Sequence, residues 1–415
     1  MPQVPGARFK PRDLAVHPSV RLAGGDIIQM QAVGHHITGG IALGKFMLSG
    51  KHGPTVIIAA ALLLLHSFAA AAGASDEANA LARQFIRKTM QEQRIPGLQI
   101  AVVKDGQIAL SESYGLANVE NRVPVTSATL FPINSATKSF TGVAMMQLAE
   151  AGVVDLNAPV SRYLDDLPQA WRTVRVRQLL AHTSGLPDIL DQQGLLGGGS
   201  EADAWKAVES RPMDAPIGER FAYNQTNYAL LARIIARQTK MPYEQYLAER
   251  QFAVAGMPLS TFGDSYDLVA NAATMYSYFP RKTDAEGDSE RLSHWFYDMP
   301  HGLWAGGGIQ TTADEVAHWM IALSSGQLIS AANVRNMWTP EKLNSGADGS
   351  WAAGWPVSGT SSDRQVAGMG GARAAFMVYP DDRLAIIVLT NLVGANPQDF
   401  IPEIAEFYKP VQRGK

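Results

Sequence analysis

Apolar residues recur at helical or alternating spacing near both ends of the chain. In residues 77–94 they repeat every three to four positions, which predicts an amphipathic helix. The side of this helix expected to be buried carries Ala80, Leu81, Phe85 and Ile86. Residues 98–103 and 107–114 have the composition of strands. Between them, Asp105-Gly106 is typical of a tight hairpin turn, so the two strands are expected to pair.

The last part of the chain predicts a second hairpin and a closing helix. Residues 374–379 and 384–390 are strand-like and flank a turn at 380–382, and residues 401–408 have helical spacing. The middle, from Ser135 to about Leu328, consists mostly of helical segments and glycine-rich loops. Strands at both ends with helices between them predict an α+β fold. One antiparallel sheet formed by both termini would be flanked by helices and carry an inserted, mostly helical subdomain.

The first 74 residues have the pattern of a leader. Residues 55–65 form an apolar run, two lysines precede it, and Ala72-Gly73-Ala74 offers a small-residue cleavage site, the outline of a secretory signal peptide. Because the segment before the run is unusually long, we expect translation to start at Met47 and one mature domain to span residues 75–415. The protein is then expected in a bacterial periplasm or outside the cell. Attachment to a membrane is expected only if the leader stays uncleaved.

Composition narrows the classes of function. The formal net charge is −3 and 18% of the residues are charged, so the chain lacks the basic excess that nucleic-acid binding needs. Hydrophobic residues make up 46%, which is ample for a large core. The chain has no cysteine, which excludes disulfides, thiolate metal sites and a cysteine nucleophile. No motif for a metal is present either, and we expect neither a metal nor a cofactor.

The only Ser-x-x-Lys of the chain is Ser-Ala-Thr-Lys at residues 135–138. We expect it to begin a helix that Asn134 caps and Gly152 ends. Residues three apart share a helix face, so the Ser135 hydroxyl and the Lys138 amine can meet. A buried lysine at a helix start is driven toward its neutral form, which can accept the serine proton. The alternative is an ordinary amphipathic helix with an exposed lysine.

Further motifs follow in order along the chain. Residues 179–187 are Leu-Leu-Ala-His-Thr-Ser-Gly-Leu-Pro, residues 221–225 are Phe-Ala-Tyr-Asn-Gln, residues 306–310 are Gly-Gly-Gly-Ile-Gln, and a Gly-Gly pair precedes the strand at 374–379. This ordered set resembles the superfamily of serine β-lactamases and penicillin-binding proteins, on the side of class C β-lactamases, D,D-peptidases and related esterases. The resemblance extends from about Ala80 to about Tyr408 and implies the β-lactamase-like form of the α+β fold.

The resemblance also implies roles for four residues. Ser135 is the expected nucleophile, whose acyl-enzyme water later hydrolyses, and Lys138 is its partner. Tyr223 matches the tyrosine of the family's Tyr-x-Asn motif, which relays protons among nucleophile, leaving group and water. The backbone N–H groups of Ser135 and Gly371 form the expected oxyanion hole. The alternative for Tyr223 is packing as a core aromatic residue.

Two departures from the family pattern bear on the substrate. Gln225 stands where Tyr-x-Asn has asparagine, so an amide remains on a side chain one methylene longer. The family's Lys-Thr-Gly or His-x-Gly element is missing, and the chain has Gly-Met-Gly-Gly at 368–371. That basic residue normally helps to hold a substrate carboxylate. Its loss argues against penicillins and peptide termini as substrates.

Four residues are expected to contact the substrate. Gln225 and Gly370 follow from the family motifs. Arg373 is a candidate to replace the missing basic residue, against a more ordinary expectation of an arginine on the surface. Trp304 either forms a wall of the cleft or packs in the core.

His182 is a tempting general base, but its segment is expected to be a structural turn. The Gly-x-Ser-x-Gly elbow of α/β-hydrolases is absent, which removes another class of serine hydrolase. The sequence therefore predicts a secreted, esterase-like serine hydrolase that cleaves a small-molecule ester or amide through an acyl-enzyme on Ser135. A β-lactamase or D,D-peptidase is one alternative. A binding or regulatory protein that keeps the fold without turnover is another.

Overall fold

A computed structural model describes residues 19–21, 27–29, 75–191, 194–279, 291–359 and 364–409. The chain divides into two units, residues 1–70 and 71–415. In the first unit the described residues form one antiparallel pair of strands, β1 (Ser19–Arg21) and β2 (Ile27–Gln29). The apolar run and the expected cleavage site lie outside the described residues. Among the helices that the structure does describe, none is both long and apolar enough to cross a membrane.

In the described part of the second unit, helices hold more residues than strands do. The α-helices are α1 (75–92), α2 (Thr137–Glu150), α3 (Val176–Leu180), α4 (Glu201–Glu209), α5 (Thr226–Thr239), α6 (Tyr243–Leu247), α7 (Ala253–Ala255), α8 (Trp304–Gly307), α9 (Ala313–Ser324), α10 (Ala331–Met337) and α11 (Pro397–Tyr408). A π-helical stretch, Ala248–Phe252, joins α6 to α7. Short 3₁₀ turns occur at Asn134–Ala136, Val160–Arg162, Gln169–Trp171 and His301–Leu303.

The strands of this unit are mostly short. They are β3 (Gly97–Lys104), β4 (Gln107–Asn118), β5 (Val123–Pro124), β6 (Phe131–Pro132), β7 (Leu190–Asp191), β8 (Gly194–Leu195), β9 (Thr261–Phe262), β10 (Tyr276–Ser277), β11 (Ser293–His294), β12 (Ile309–Thr311), β13 (Val357–Ser358), β14 (Gln365–Gly370), β15 (Ala374–Tyr379), β16 (Leu384–Thr390) and β17 (Leu392–Val393).

The central sheet joins the two ends of the domain. Its order is β13-β14-β15-β16-β3-β4-β5, and all neighbours are antiparallel. Strands β16 and β3 pair along their length, from Leu384 opposite Lys104 to Thr390 opposite Leu98. The turn between β3 and β4 has positive φ at both Asp105 (54°) and Gly106 (78°), as a tight hairpin requires. The predicted sheet of both termini, with a helical part inserted between them, is confirmed.

Each face of this sheet is covered by helices. Along β16, Ile387 and Leu389 join the core that contains α2 and α9, whereas Ile386 and Val388 join the core that contains α1 and α11. Because successive side chains point to opposite faces, a strand buried on both sides is apolar throughout. A slip of one residue would exchange the two cores, so burial on both faces fixes the register.

The buried side of α1 agrees with the prediction at Ile86 and at the half-buried Phe85, but not at Ala80 and Leu81. Ala78, Ala82 and Ile86 are buried, whereas Ala80 and Leu81 are exposed. The buried stripe has a spacing of four residues, and the sheet selects it over the neighbouring apolar positions. By contrast, α2 is buried on almost every side and ends before Gly152, whose φ is 70°. The expected end of α2 is confirmed.

Candidate active site

Ser135 lies in the 3₁₀ turn that leads into α2. Asn134 does not cap the helix as expected, because its side-chain oxygen accepts a hydrogen bond from Arg373 and its φ is 43°. The turn sits against β14, since a Cβ at Gly370 would lie 1.9 Å from the carbonyl oxygen of Ile133. The position of Ser135 is thus set by the sheet as well as by its own helix.

Lys138 is completely buried, so the alternative of an exposed lysine is wrong. Its Nζ donates to the carbonyl oxygen of Gly306 at 2.7 Å and to Oε1 of Gln225 at 2.9 Å, and it lies 3.4 Å from Oγ of Ser135. The first two partners can only accept hydrogen bonds. In a neutral amine they use both N–H groups, which leaves the nitrogen lone pair for the serine proton.

Tyr223 completes this group of side chains. Its hydroxyl donates to Oγ of Ser135 at 2.7 Å, and Nζ of Lys138 lies 4.8 Å from the centre of its ring. Tyr223 is 38% exposed, so it is not a core aromatic residue. Ser135, Lys138, Tyr223 and Gln225, which we call the Ser135 cluster, therefore combine one hydroxyl nucleophile with a buried nitrogen and a hydroxyl that reaches solvent.

His182 packs behind Tyr223. Its ring centre is 4.4 Å from that of Tyr223, and its Nδ1 accepts from the backbone N–H of Asn224 and from the side chain of Asn227. Burial lowers the pKa of His182 well below the ordinary value of 6.5, and Lys138 lowers it further when it is charged. His182 is therefore a neutral support for Tyr223, and the expectation that its segment is a structural turn agrees with its φ of 55°.

We expect acid to destabilise the fold through His182. Below pH 6.5 the unfolded chain binds a proton that the folded protein excludes, because the pKa of His182 is lowered on folding. The free energy of unfolding should fall through this window by up to about 1.4 kcal/mol per pH unit. Urea unfolding at pH 7.5 and 5.5 measures this slope. His182→Asn, which tolerates the positive φ, should flatten it, and His318→Gln, at a half-exposed imidazole, should not. Equal slopes in all three proteins would refute the assignment.

The hairpin between β14 and β15 supplies the other side of the site. Gly371 and Ala372 have positive φ (58° and 53°), and the N–H of Arg373 bonds to the carbonyl of Gly370, which closes a tight turn. A Cβ at Gly370 would lie 2.7 Å from the backbone nitrogen of Ser135, so glycine is needed for this approach. Gly370, which the family motifs predicted to contact substrate, packs on the backbone beside Ser135.

The place of the missing basic element is filled by an aromatic ring. A Cβ at Gly368 would lie 2.0 Å from the ring of Phe376, which is fully buried. A lysine or histidine at this position would have to displace that ring from its contacts with Phe140 and Trp355. The absence of a basic side chain here is therefore built into the core packing.

Arg373 is buried, so the prediction of a surface arginine is wrong. It is 2% exposed, donates to Asn134 and stacks on the ring of Tyr297 at 4.8 Å. Burial lowers its pKa to about 10. It remains a cation at neutral pH but presents almost no surface to a substrate carboxylate.

Trp304 supports the glycine segment of the site from behind. It is half-buried, stacks on Phe262 at 5.5 Å and covers Gly308, where a Cβ would lie 2.6 Å from its ring. A Cβ at Gly306 would lie 2.6 Å from Oε1 of Gln225. The glycines thus let the main chain approach the Ser135 cluster.

Sequence reasoning missed Asp188. Its Oδ1 accepts from the backbone N–H of Gln225 at 2.9 Å, and burial raises the pKa of this carboxyl group. Asp188 therefore holds the segment that carries Tyr223 and Gln225. A single Asp after Pro187 gives no signal of this contact in the sequence.

Comparisons with known proteins agree with this architecture. Residues 82–407 match the family described as Beta-lactamase. Protein flp of Staphylococcus aureus (strain MW2) is 26% identical over 340 residues, which cover 77% of this chain and 64% of that protein. PbpX of Bacillus subtilis (strain 168), named as a penicillin-binding protein, is 28% identical over 239 residues and 58% of each chain. The chain thus spans less than two thirds of the length of these relatives.

Solved structures share the fold. The octameric penicillin-binding protein homologue from Pyrococcus abyssi has a TM-score of 0.62 at 26% identity, over 79% of this chain and 76% of that one. A class C β-lactamase mutant has a TM-score of 0.66 over 80% and 98% of the two chains, and at 19% identity it shows the fold alone. The chain belongs to the Beta-lactamase family, within the superfamily of serine β-lactamases and penicillin-binding proteins.

Proposed function

We propose that the protein hydrolyses an ester or amide of a small molecule through an acyl-enzyme on Ser135, with esters preferred. One observation carries this proposal: Oγ of Ser135 lies 2.7 Å from the hydroxyl of Tyr223 and 3.4 Å from Nζ of Lys138. A serine hydroxyl needs such a neighbour to become nucleophilic.

Lys138 and Tyr223 differ in exposure, and we assign each of them a different proton transfer. Lys138 is fully buried and its Nζ lies 3.4 Å from Oγ of Ser135, so its amine, in the unprotonated form, takes the proton when that oxygen bonds to the carbonyl carbon. The partly exposed hydroxyl of Tyr223 passes a proton to the leaving oxygen as the bond to that oxygen breaks. Water then attacks the acyl group, which leaves with the new hydroxyl, and Ser135 regains its proton by the reverse transfers.

Two backbone N–H groups stabilise the negative oxygen formed in each step. The hairpin places Gly370 against the backbone of Ser135, and Gly371, the next residue of the tip, is exposed. Among the described residues, the N–H of Gly371 makes no hydrogen bond, so it is available to the oxyanion. Removing one such donor typically costs on the order of 10²-fold in kcat.

The preference for esters follows from the strand β14. The ring of Phe376 takes the space beside Gly368, and Arg373 is covered, so neither provides a cation to a carboxylate next to the scissile bond. A neutral acyl group suits this site. β-Lactam or D,D-peptide hydrolysis is the second candidate, favoured by the amide of Gln225 beside Lys138 and by the name of the relative PbpX.

A substrate panel tests the choice. The protein from residue 75 onward is incubated with p-nitrophenyl acetate, p-nitrophenyl butyrate, nitrocefin, a fluorescent penicillin and a D-Ala-D-Ala peptide. We expect turnover of the esters and little or none of the three carboxylate-bearing compounds. Faster turnover of nitrocefin or of the peptide than of the esters would favour the second candidate. No turnover and no adduct would favour a binding or regulatory role.

Export is part of the proposal, because the leader has the outline of a signal peptide. The full chain, expressed in a bacterium, should appear in the periplasm or medium with its amino terminus near Ser75. Amino-terminal sequencing of the purified protein checks this. A cytoplasmic protein that keeps residues 47–74 would contradict it.

A further inference from the structure

Arg373 is a buried cation without a partner of opposite charge. None of the described carboxylates lies within ion-pairing distance of its guanidinium, and its Nε is buried without a hydrogen bond. An unpaired buried charge costs several kcal/mol, so it is seldom retained for stability. Its neighbours are the polar side chain of Asn134 and the ring of Tyr297.

The guanidinium connects the two parts of the expected oxyanion hole. Its Nη2 donates to the side-chain oxygen of Asn134, which directly precedes Ser135. On the other side it lies beneath the hairpin tip, because a Cβ at Gly371 would be 3.1 Å from its Nε and 2.7 Å from the oxygen of Asn134. Asn134, Gly371 and Ala372 all have positive φ, a conformation that needs support from neighbours.

We propose that Arg373 is a positioning residue for the oxyanion hole. It ties the residue before Ser135 to the hairpin that carries Gly371, and so fixes the separation of the two N–H groups. The inference rests on the proposed acyl-enzyme function. A role in binding a substrate carboxylate does not fit, because the side chain is 2% exposed.

Kinetics of Arg373→Gln test this inference. With p-nitrophenyl butyrate, kcat should fall on the order of 10²-fold with little change in KM, because a displaced donor affects the transition state more than the bound substrate. Arg373→Ala should regain part of its kcat when guanidinium ion is added at concentrations that do not unfold it. Arg383→Gln, on the next turn of the same sheet, is the control and should keep wild-type kinetics.

A second variant tests the inference even if Arg373→Gln fails to fold. Asn134→Gly removes only the acceptor and tolerates the positive φ, so it should lower kcat to a similar extent. In the double variant Arg373→Gln/Asn134→Gly, the losses should not add. A fall confined to KM, additive losses without rescue, or unchanged kcat would overturn the inference while the wild type still hydrolyses the ester. A wild type that neither hydrolyses the ester nor reacts with a fluorophosphonate would overturn the proposed function as well.

Discussion

Ester hydrolysis is expected to fall by about 10³-fold or more when Ser135 is replaced by alanine. The substitution removes the one oxygen that both Tyr223 and Lys138 contact, and the Ser135 cluster contains no other serine. The residual rate should resemble that of the uncatalysed reaction, raised only by binding. Initial rates with p-nitrophenyl butyrate measure this change directly.

The matched control is Ser139→Ala. Ser139 is buried on the same helix, and its hydroxyl donates to the carbonyl of Gly354 at 3.1 Å, away from the cluster. Its loss should cost about 1 kcal/mol of stability and leave the rate nearly unchanged. Equal losses in the two variants would mean that the helix, not the Ser135 hydroxyl, had been damaged. A Ser135→Ala protein with wild-type activity would exclude the proposed nucleophile.

Lys138→Met should lower kcat by about 10²- to 10⁴-fold and leave the protein folded. Methionine matches the length of the lysine side chain but cannot accept the serine proton. Two effects on stability oppose each other. The carbonyl of Gly306 and Oε1 of Gln225 lose their donor, at about 1–3 kcal/mol each, whereas a buried nitrogen that is costly to desolvate is removed.

Because these terms are similar in size, we expect the free energy of unfolding to stay within about 2 kcal/mol of the wild type. Urea unfolding and initial rates, measured on the same preparation, separate the two effects. Lys206→Met on the exposed surface of α4 is the control and should change neither quantity. Full activity in Lys138→Met would show that another group takes the proton from Ser135.

Local sequence patterns predicted the hairpins and strands of the central sheet well. The turn at Asp105-Gly106 needs two residues that tolerate positive φ, and the pair Asp-Gly is typical of such a turn. The strands 374–379 and 384–390 agree with the observed bounds because their continuous apolar runs match burial on both faces. Pairing of the first strands with the last followed from the order of elements, and the register shows it.

Contacts between distant segments could not be predicted from such patterns. Asparagine is a residue type that often caps helices, yet the side-chain oxygen of Asn134 accepts a hydrogen bond from Arg373, which is 239 residues away. Arg373 itself follows two residues with the left-handed conformation, and the turn directs its side chain inward. Propensity describes a residue and its neighbours in sequence, whereas these contacts depend on how the sheet meets the helix.

The same distinction applies to the candidate site. Ser135 and Lys138 share a helix face, so their spacing alone predicts their contact. Tyr223 is 88 residues from Ser135, and only the resemblance to a family indicated that the two would meet. The supports of Tyr223 and Gln225, namely His182 and Asp188, act by packing and by backbone hydrogen bonds, which leave no spacing signal.

Mass spectrometry of the acyl-enzyme tests the central claim most directly. The protein is mixed with p-nitrophenyl butyrate, quenched in acid within the first turnover, digested and mapped, with Ser135→Ala treated in parallel. The account predicts one butyryl group on the peptide that contains Ser135 and none in the variant. Ester turnover with the butyryl group on another residue, or with no covalent adduct at any quench time, would contradict it.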